Sequence, residues 1–71
     1  MSEQIIDTHN GNDVTINLVE ETLSDDSMAY SVDLRILSHG TDTIRMNCAH
    51  YSNAVVLFGT IVRQSVNIYA R

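Results

Sequence analysis

Ser52-Asn53-Ala54-Val55-Val56-Leu57-Phe58-Gly59-Thr60-Ile61-Val62-Arg63-Gln64-Ser65-Val66-Asn67-Ile68-Tyr69 is the stretch whose reading decides the fold. At about 100° per residue, Leu57, Ile68, Ile61, Ala54, Ser65, Phe58, Tyr69, Val62, Val55 and Val66 fall in that order around about half of a helical wheel. Asn53, Thr60, Arg63, Gln64 and Asn67 fill the other side, with Gly59 at its border and Val56 the one apolar residue among them. The β-branched residues here would also suit a strand, but alternation then separates nothing: Val55, Leu57 and Ile61 would oppose Val56, Phe58 and Val62. The spacing predicts a helix with one buried face over residues 52–69. Ser52 or Asn53 can cap it, and Arg63 and Arg71 lie toward the end where positive charge suits the helix dipole.

Upstream, the period changes from 3.6 to 2. Val14, Ile16 and Leu18 alternate with Thr15 and Asn17, with Val19 at the end, as in a half-buried strand. Residues 28–37 do the same more fully, Met28, Tyr30, Val32, Leu34 and Ile36 against Ala29, Ser31, Asp33, Arg35 and Leu37. A third strand puts Ile44, Met46 and Cys48 opposite Thr43, Arg45 and Asn47, after a loop in which Gly40 can take positive φ. Asn10-Gly11 is a hairpin signal before the first strand, and residues 4–8 either pair with that strand as a short edge or fray. Residues 20–27 break the alternation and read as an exposed, acidic connection.

These elements predict an α+β domain spanning residues 1–71: a three-stranded antiparallel meander, with a short fourth N-terminal strand if residues 4–8 pair, and the helix packed across one face. The expected core joins Val14, Ile16, Leu18, Met28, Tyr30, Val32, Leu34, Ile36, Ile44, Met46 and Cys48 to Ala54, Leu57, Phe58, Ile61, Val62 and the ring of Tyr69. The opposite face is expected to be polar.

Seventy-one residues bury only about 60% of the unfolded surface, so the margin of stability is thin and self-association would help. One cysteine excludes an intrachain disulfide, and no Cys/His set has the spacing of a structural zinc site. No run of about 18 apolar residues could cross a membrane and no basic-then-apolar leader opens the chain, so a cytoplasmic location is expected.

Charge is unevenly spread. Residues 1–42 hold nine carboxylates against Arg35 alone, for −8, while Arg45, Arg63 and Arg71 give residues 43–71 +3; the net is −5. With no lysine and four scattered arginines, the chain cannot build the positive field that phosphate backbones require, and direct nucleic-acid binding is not expected. The same field suits a protein partner with a basic surface, for which Glu20, Glu21, Asp25, Asp26, Asp33 and Asp42 are the candidate contacts.

Nothing points to catalysis or to a cofactor. Cys48 and His50 lie two apart, as a thiolate and its imidazole would, but Cys48 is in register with Ile44 and Met46, where a free cysteine serves as a small hydrophobe. The acids of residues 20–26 lack the alternation and glycine of a calcium loop, and His9 and His39 have no partner at metal-binding spacing. Gly59 sits inside the expected helix at a cost of about 1 kcal/mol against alanine, which is either tolerated or admits a close neighbour.

Cys48-Ala49-His50-Tyr51-Ser52-Asn53-Ala54-Val55-Val56-Leu57-Phe58-Gly59-Thr60-Ile61-Val62 is a strand end followed by an Ala-x-x-Leu-Phe-x-x-Ile-Val helix. It is similar to the ends of many small phage and mobile-element proteins, a group that includes β-sheet-plus-helix products and some anti-CRISPR and other anti-defence inhibitors. The resemblance covers about the last third of the chain and carries over no functional residue. It implies a sheet-plus-helix fold and action by binding rather than catalysis, in the cytoplasm of a bacterial host. Two function classes follow: a non-enzymatic acidic module that occupies the basic surface of a nucleic-acid-binding partner, and a structural or regulatory homo-oligomer with apolar self-contacts through Leu37, Val56 and Val66.

Overall fold

The computed structural model describes residues 2–40 and 43–69, and of residues 39 and 66–69 it describes the backbone alone. Four strands, β1 (Ser2–Gly11), β2 (Val14–Thr22), β3 (Met28–Ile36) and β4 (Thr43–Cys48), precede one helix, α1 (Tyr51–Tyr69). The sheet is antiparallel in the order β1-β2-β3-β4, an unbroken meander. The helix packs across one face, as the change of period predicts. It begins at Tyr51, so Ser52 and Asn53 lie within its first turn and cap nothing; the Ala54 N–H bonds back to the His50 carbonyl.

Residues 4–8 pair with β2, within a strand of ten residues. Its sequence hides this because its only strong apolar residues are adjacent, which violates strand alternation. A bulge resolves the conflict: between Ile5, opposite Val19, and Asp7, opposite Leu18, Ile6 is inserted as an extra residue. Ile5 can then stay on the outer face, 57% exposed, while Ile6 packs against the core.

The first hairpin turns two residues later than Asn10-Gly11 suggests. Gly11 pairs with Val14, leaving Asn12 and Asp13 as the loop, with Asp13 in the left-handed region at φ 61°. Gly11 is small for another reason: a Cβ there would lie 3.1 Å from Val14 Cγ1 and 3.4 Å from His9 Nε2. Asp13 also clamps the loop after β3. Its carbonyl accepts from Leu37 N at 2.9 Å, and its carboxylate accepts from Ser38 N at 2.7 Å and from the Ser38 hydroxyl. Leu37 itself leaves the strand for a short 3-10 turn that ends at Gly40, whose φ of 92° matches the freedom glycine supplies.

The core is built on Val14, Ile16, Leu18, Val32 and Ala54, all buried, with Tyr30, Leu34, Met46, Cys48, Leu57, Phe58, Ile61 and Val62 packed around them. Three expected members are outside it, among them Ile36, half-buried at the last position of β3. Ile44 is 56% exposed because β4 is an edge strand and lies at the margin of the helix, and Met28 is exposed at the far end of β3. The side chain of Tyr69 lies outside the described residues. The face opposite the helix is not wholly polar: Val19 is buried there, beside Ser31. Among the described residues Gly59 meets nothing within 4 Å of where its Cβ would stand, so no close neighbour there explains it.

Thermal melts check this packing. Ile16→Ala should cost about 2 to 5 kcal/mol, whereas Ile44→Ala should stay within about 0.5 kcal/mol. Gly59→Ala should stabilise by about 0.5 to 1 kcal/mol, through helix propensity and a less free unfolded chain.

Candidate protein-binding surface

The six candidate acids do not form one loop. Glu20 and Glu21 are not in the connection at all but in β2, which runs on to Thr22. Paired strand residues project to opposite faces in turn, so Glu20, opposite Gln4 and Tyr30, shares the helix-bearing side, and Glu21, opposite Glu3 and Ala29, the other. The turn proper is tight: Leu23 N bonds Ser27 O at 2.9 Å, Asp26 N bonds Leu23 O at 3.0 Å, and Asp26 is left-handed at φ 69°. This is the three-residue hairpin loop in which an αL residue closes a turn, with aspartate in the position glycine often takes.

Asp25 accepts from Ser27 N at 3.0 Å and from the Ser27 hydroxyl. These bonds, the hydroxyl first, hold its carboxyl below the ordinary carboxylate range, so it is ionised at neutral pH. Tyr30 shows the opposite: burial first, then the nearby Glu20 carboxylate, push its phenol above the ordinary tyrosine value. Its ring meets Tyr51 edge to face, 5.4 Å between centroids, which joins this end of the sheet to the start of α1.

Antiparallel pairing adds an acid that chain order does not suggest. Glu3, opposite Glu21, stands at the same end of the sheet as the β2–β3 turn. Glu3, Glu20, Glu21, Asp25 and Asp26 therefore share one end, and β4 pairs only with Tyr30 to Arg35, so the tip of the hairpin overhangs it.

Asp33 is drawn away from this group. It lies mid-sheet on the face opposite the helix, where Arg45 Nε and Nη2 each donate to it at 2.8 Å, a bidentate pair. Arg45 Nη1 continues to Glu3 Oε1 at 2.7 Å. Glu3 is on β1 and Arg45 on β4, so the arginine reaches diagonally across the two central strands at the level of Val19 and Ser31, the two residues buried on that face. Its guanidinium is driven further toward the charged form, by Asp33 first and then Glu3. Asp42 lies outside the described residues.

The remaining candidates behave as small or surface residues. Cys48 is half-buried and packs against the core, and His50 is exposed. His9 Nε2 is buried with no hydrogen-bond partner among the described residues, its ring beside Gly11. Among the described residues no group of three or more His, Cys, Asp or Glu side chains could hold a metal ion, and no helix is long and apolar enough to cross a membrane. An apolar pocket of about 320 Å³ opens at the other end of the sheet, lined by Val14, Leu34, Ile36, Met46, Ile61 and the more polar Gln64 and Ser65.

The chain is thus a four-stranded antiparallel sheet with one helix on it and a concentration of acid at one end. No family model, curated protein or solved structure matches it.

Arg45→Met should lower stability by about 1 to 3 kcal/mol in urea unfolding, because it leaves the carboxylate of Asp33 half-buried without its partner, and Arg45→Lys should restore only part. Tyr30 gives a pH test. Its folded pKa is raised, so the stability it contributes is present below the unfolded value near 10 and lost as pH rises through the folded one. Glu20→Gln should bring the Tyr30 titration, followed by NMR, part of the way down, with the burial contribution left in place.

Proposed function

We propose that this chain is a non-enzymatic protein-binding module whose acidic end meets arginine or lysine side chains on a partner that normally holds nucleic acid. The observation that carries this reading is the overhanging hairpin, where strand pairing gathers Glu3, Glu20, Glu21, Asp25 and Asp26 beyond the reach of β4. An acid patch at one end of an elongated molecule, 44 × 24 × 15 Å, can enter a basic groove without bringing the rest of the chain into contact. Asp33 serves the fold through Arg45, and Glu3, which also pairs with Arg45 but stays exposed, stands at the margin of the acidic end. Asp42 stays in the set on its charge alone. The likeness of the last third to anti-CRISPR and other anti-defence inhibitors supports a bacterial host's nucleic-acid-binding machinery as the target and the host cytoplasm as the place of action.

The homo-oligomer reading rests on a separate observation: Val56 is 68% and Leu37 50% exposed. The side chain of Val66 lies outside the described residues. Salt distinguishes the two, since an electrostatic complex weakens with ionic strength and an apolar one does not.

The test is capture from a bacterial lysate, identification of the bound protein, and kinetics with the purified pair. Changing Glu20 and Glu21 to Gln and Asp25 and Asp26 to Asn should leave the melting temperature within a few degrees while slowing association at low salt at least tenfold, and nucleic acid should compete for the partner. Unchanged rate and affinity in the quadruple variant would reduce the acidic end to a solubilising feature and move attention to the polar sheet face.

A further inference from the structure

We infer that β4 is a self-recognition edge, through which two copies of this chain join their sheets in antiparallel pairing centred on Met46. This is independent of the acidic-end reading and stands or falls without it.

The two edges of the sheet differ. β1 carries the devices that keep an edge from pairing: a bulge beside Ile5 and the acids Glu3 and Asp7. β4 has neither a bulge nor an acid. Its pairing with β3 runs without irregularity, it contains no proline or lysine, and its one charged side chain, Arg45, is folded onto the sheet face by Asp33 and Glu3 rather than standing along the edge. What remains is a six-residue strand whose outer backbone groups meet no partner strand among the described residues, with an apolar row on its helix side: Ile44, 56% exposed, then Met46 and Cys48, both half-buried.

The apolar row, which meets itself when reversed, points to a second copy as the occupant, and charge permits it. The strand itself is neutralised, so like-charged molecules of net −5 can meet there. Antiparallel pairing also reverses the second copy, and because Cys48 lies at the end of β4 nearest the acidic hairpin, the two acidic ends point to opposite ends of the joined sheet. The register follows from the same rules. Helix-side residues must meet helix-side residues, and Arg45 must not face itself. Met46 opposite Met46 satisfies both, with Ile44 facing Cys48 of the second copy and Arg45 facing its Asn47. A two-residue slip would set Arg45 against Arg45.

The register makes disulfide trapping decisive. Directly opposed residues have Cβ atoms about 4.5 to 5.5 Å apart, close enough for a disulfide after small adjustment, whereas residues four apart on a strand are not. Ile44→Cys, at an exposed position, should under mild oxidation give a covalent dimer of about twice 7.9 kDa, through bonds between position 44 of each copy and Cys48 of the other. The native chain, with Cys48 alone, and the Ile44→Cys/Cys48→Ser double variant should both stay uncrosslinked under the same conditions. Without oxidation, sedimentation equilibrium should show the native chain moving toward the dimer mass between about 10 and 500 µM, a weak association as suits a small interface. Ile44→Lys should raise the dimer dissociation constant at least tenfold with an unchanged melting temperature. A mass near 7.9 kDa throughout that range, crosslinking of the native chain through Cys48, growth into open fibres as a β4-to-β1 contact would give, or dimers insensitive to Ile44→Lys would each overturn the inference.

Discussion

β2 is covered on both faces, and the other elements are arranged by that. On one side Val14, Ile16 and Leu18 lie under α1, with Val32 and Ala54 completing the contact. On the other, Val19 is sealed beside Ser31 where Arg45 crosses the sheet toward Glu3. A chain of 71 residues has too little apolar surface for two full layers, and on this face an arginine, whose head takes two carboxylates, crosses at the level of Val19. Buried ion pairs often fail to repay their desolvation, but this side chain remains 40% exposed and its two hydrogen bonds to Asp33 are 2.8 Å long, so it avoids most of that penalty.

Arg45 also sorts the acids. By binding Asp33 fully and Glu3 in part, it removes charge from the middle of the sheet and leaves the excess at the β2–β3 end. The same contacts hold the guanidinium off the outer edge of β4. One side chain thereby separates a charged end of the sheet from an edge whose one charge is paired.

The clamp from Asp13 to Leu37 and Ser38 performs a related task at the opposite end. The connection between β3 and β4 is six residues, 37–42, and binding its start to the first hairpin fixes where the chain departs toward β4. Backbone N–H groups that a loop would otherwise leave to water are taken by one aspartate, in a left-handed conformation aspartate tolerates better than most residues.

Period alone was enough to place α1, β2, β3 and β4 and to name most of the core, because burial on one face leaves a mark at every second or every third to fourth residue. It also assigned Cys48 to packing rather than chemistry, since that residue keeps the phase of Ile44 and Met46. Four features had no such mark. The length of β1 depends on hydrogen bonds to β2, which polar residues make as readily as apolar ones, and its bulge shifts Ile6 out of phase. The exposure of Met28 and Ile44 depends on where the helix stops covering the sheet. Glu3 joins Glu20 and Glu21 only because strands run antiparallel, which brings residues 17 and 18 positions apart side by side. Arg45, one of four scattered arginines by sequence, became a brace across four strands through a diagonal contact that no local pattern encodes. Local periodicity is written in the chain because each residue reports its own burial; long-range charge pairing is decided by the tertiary structure, because it depends on which faces and ends the fold brings within reach.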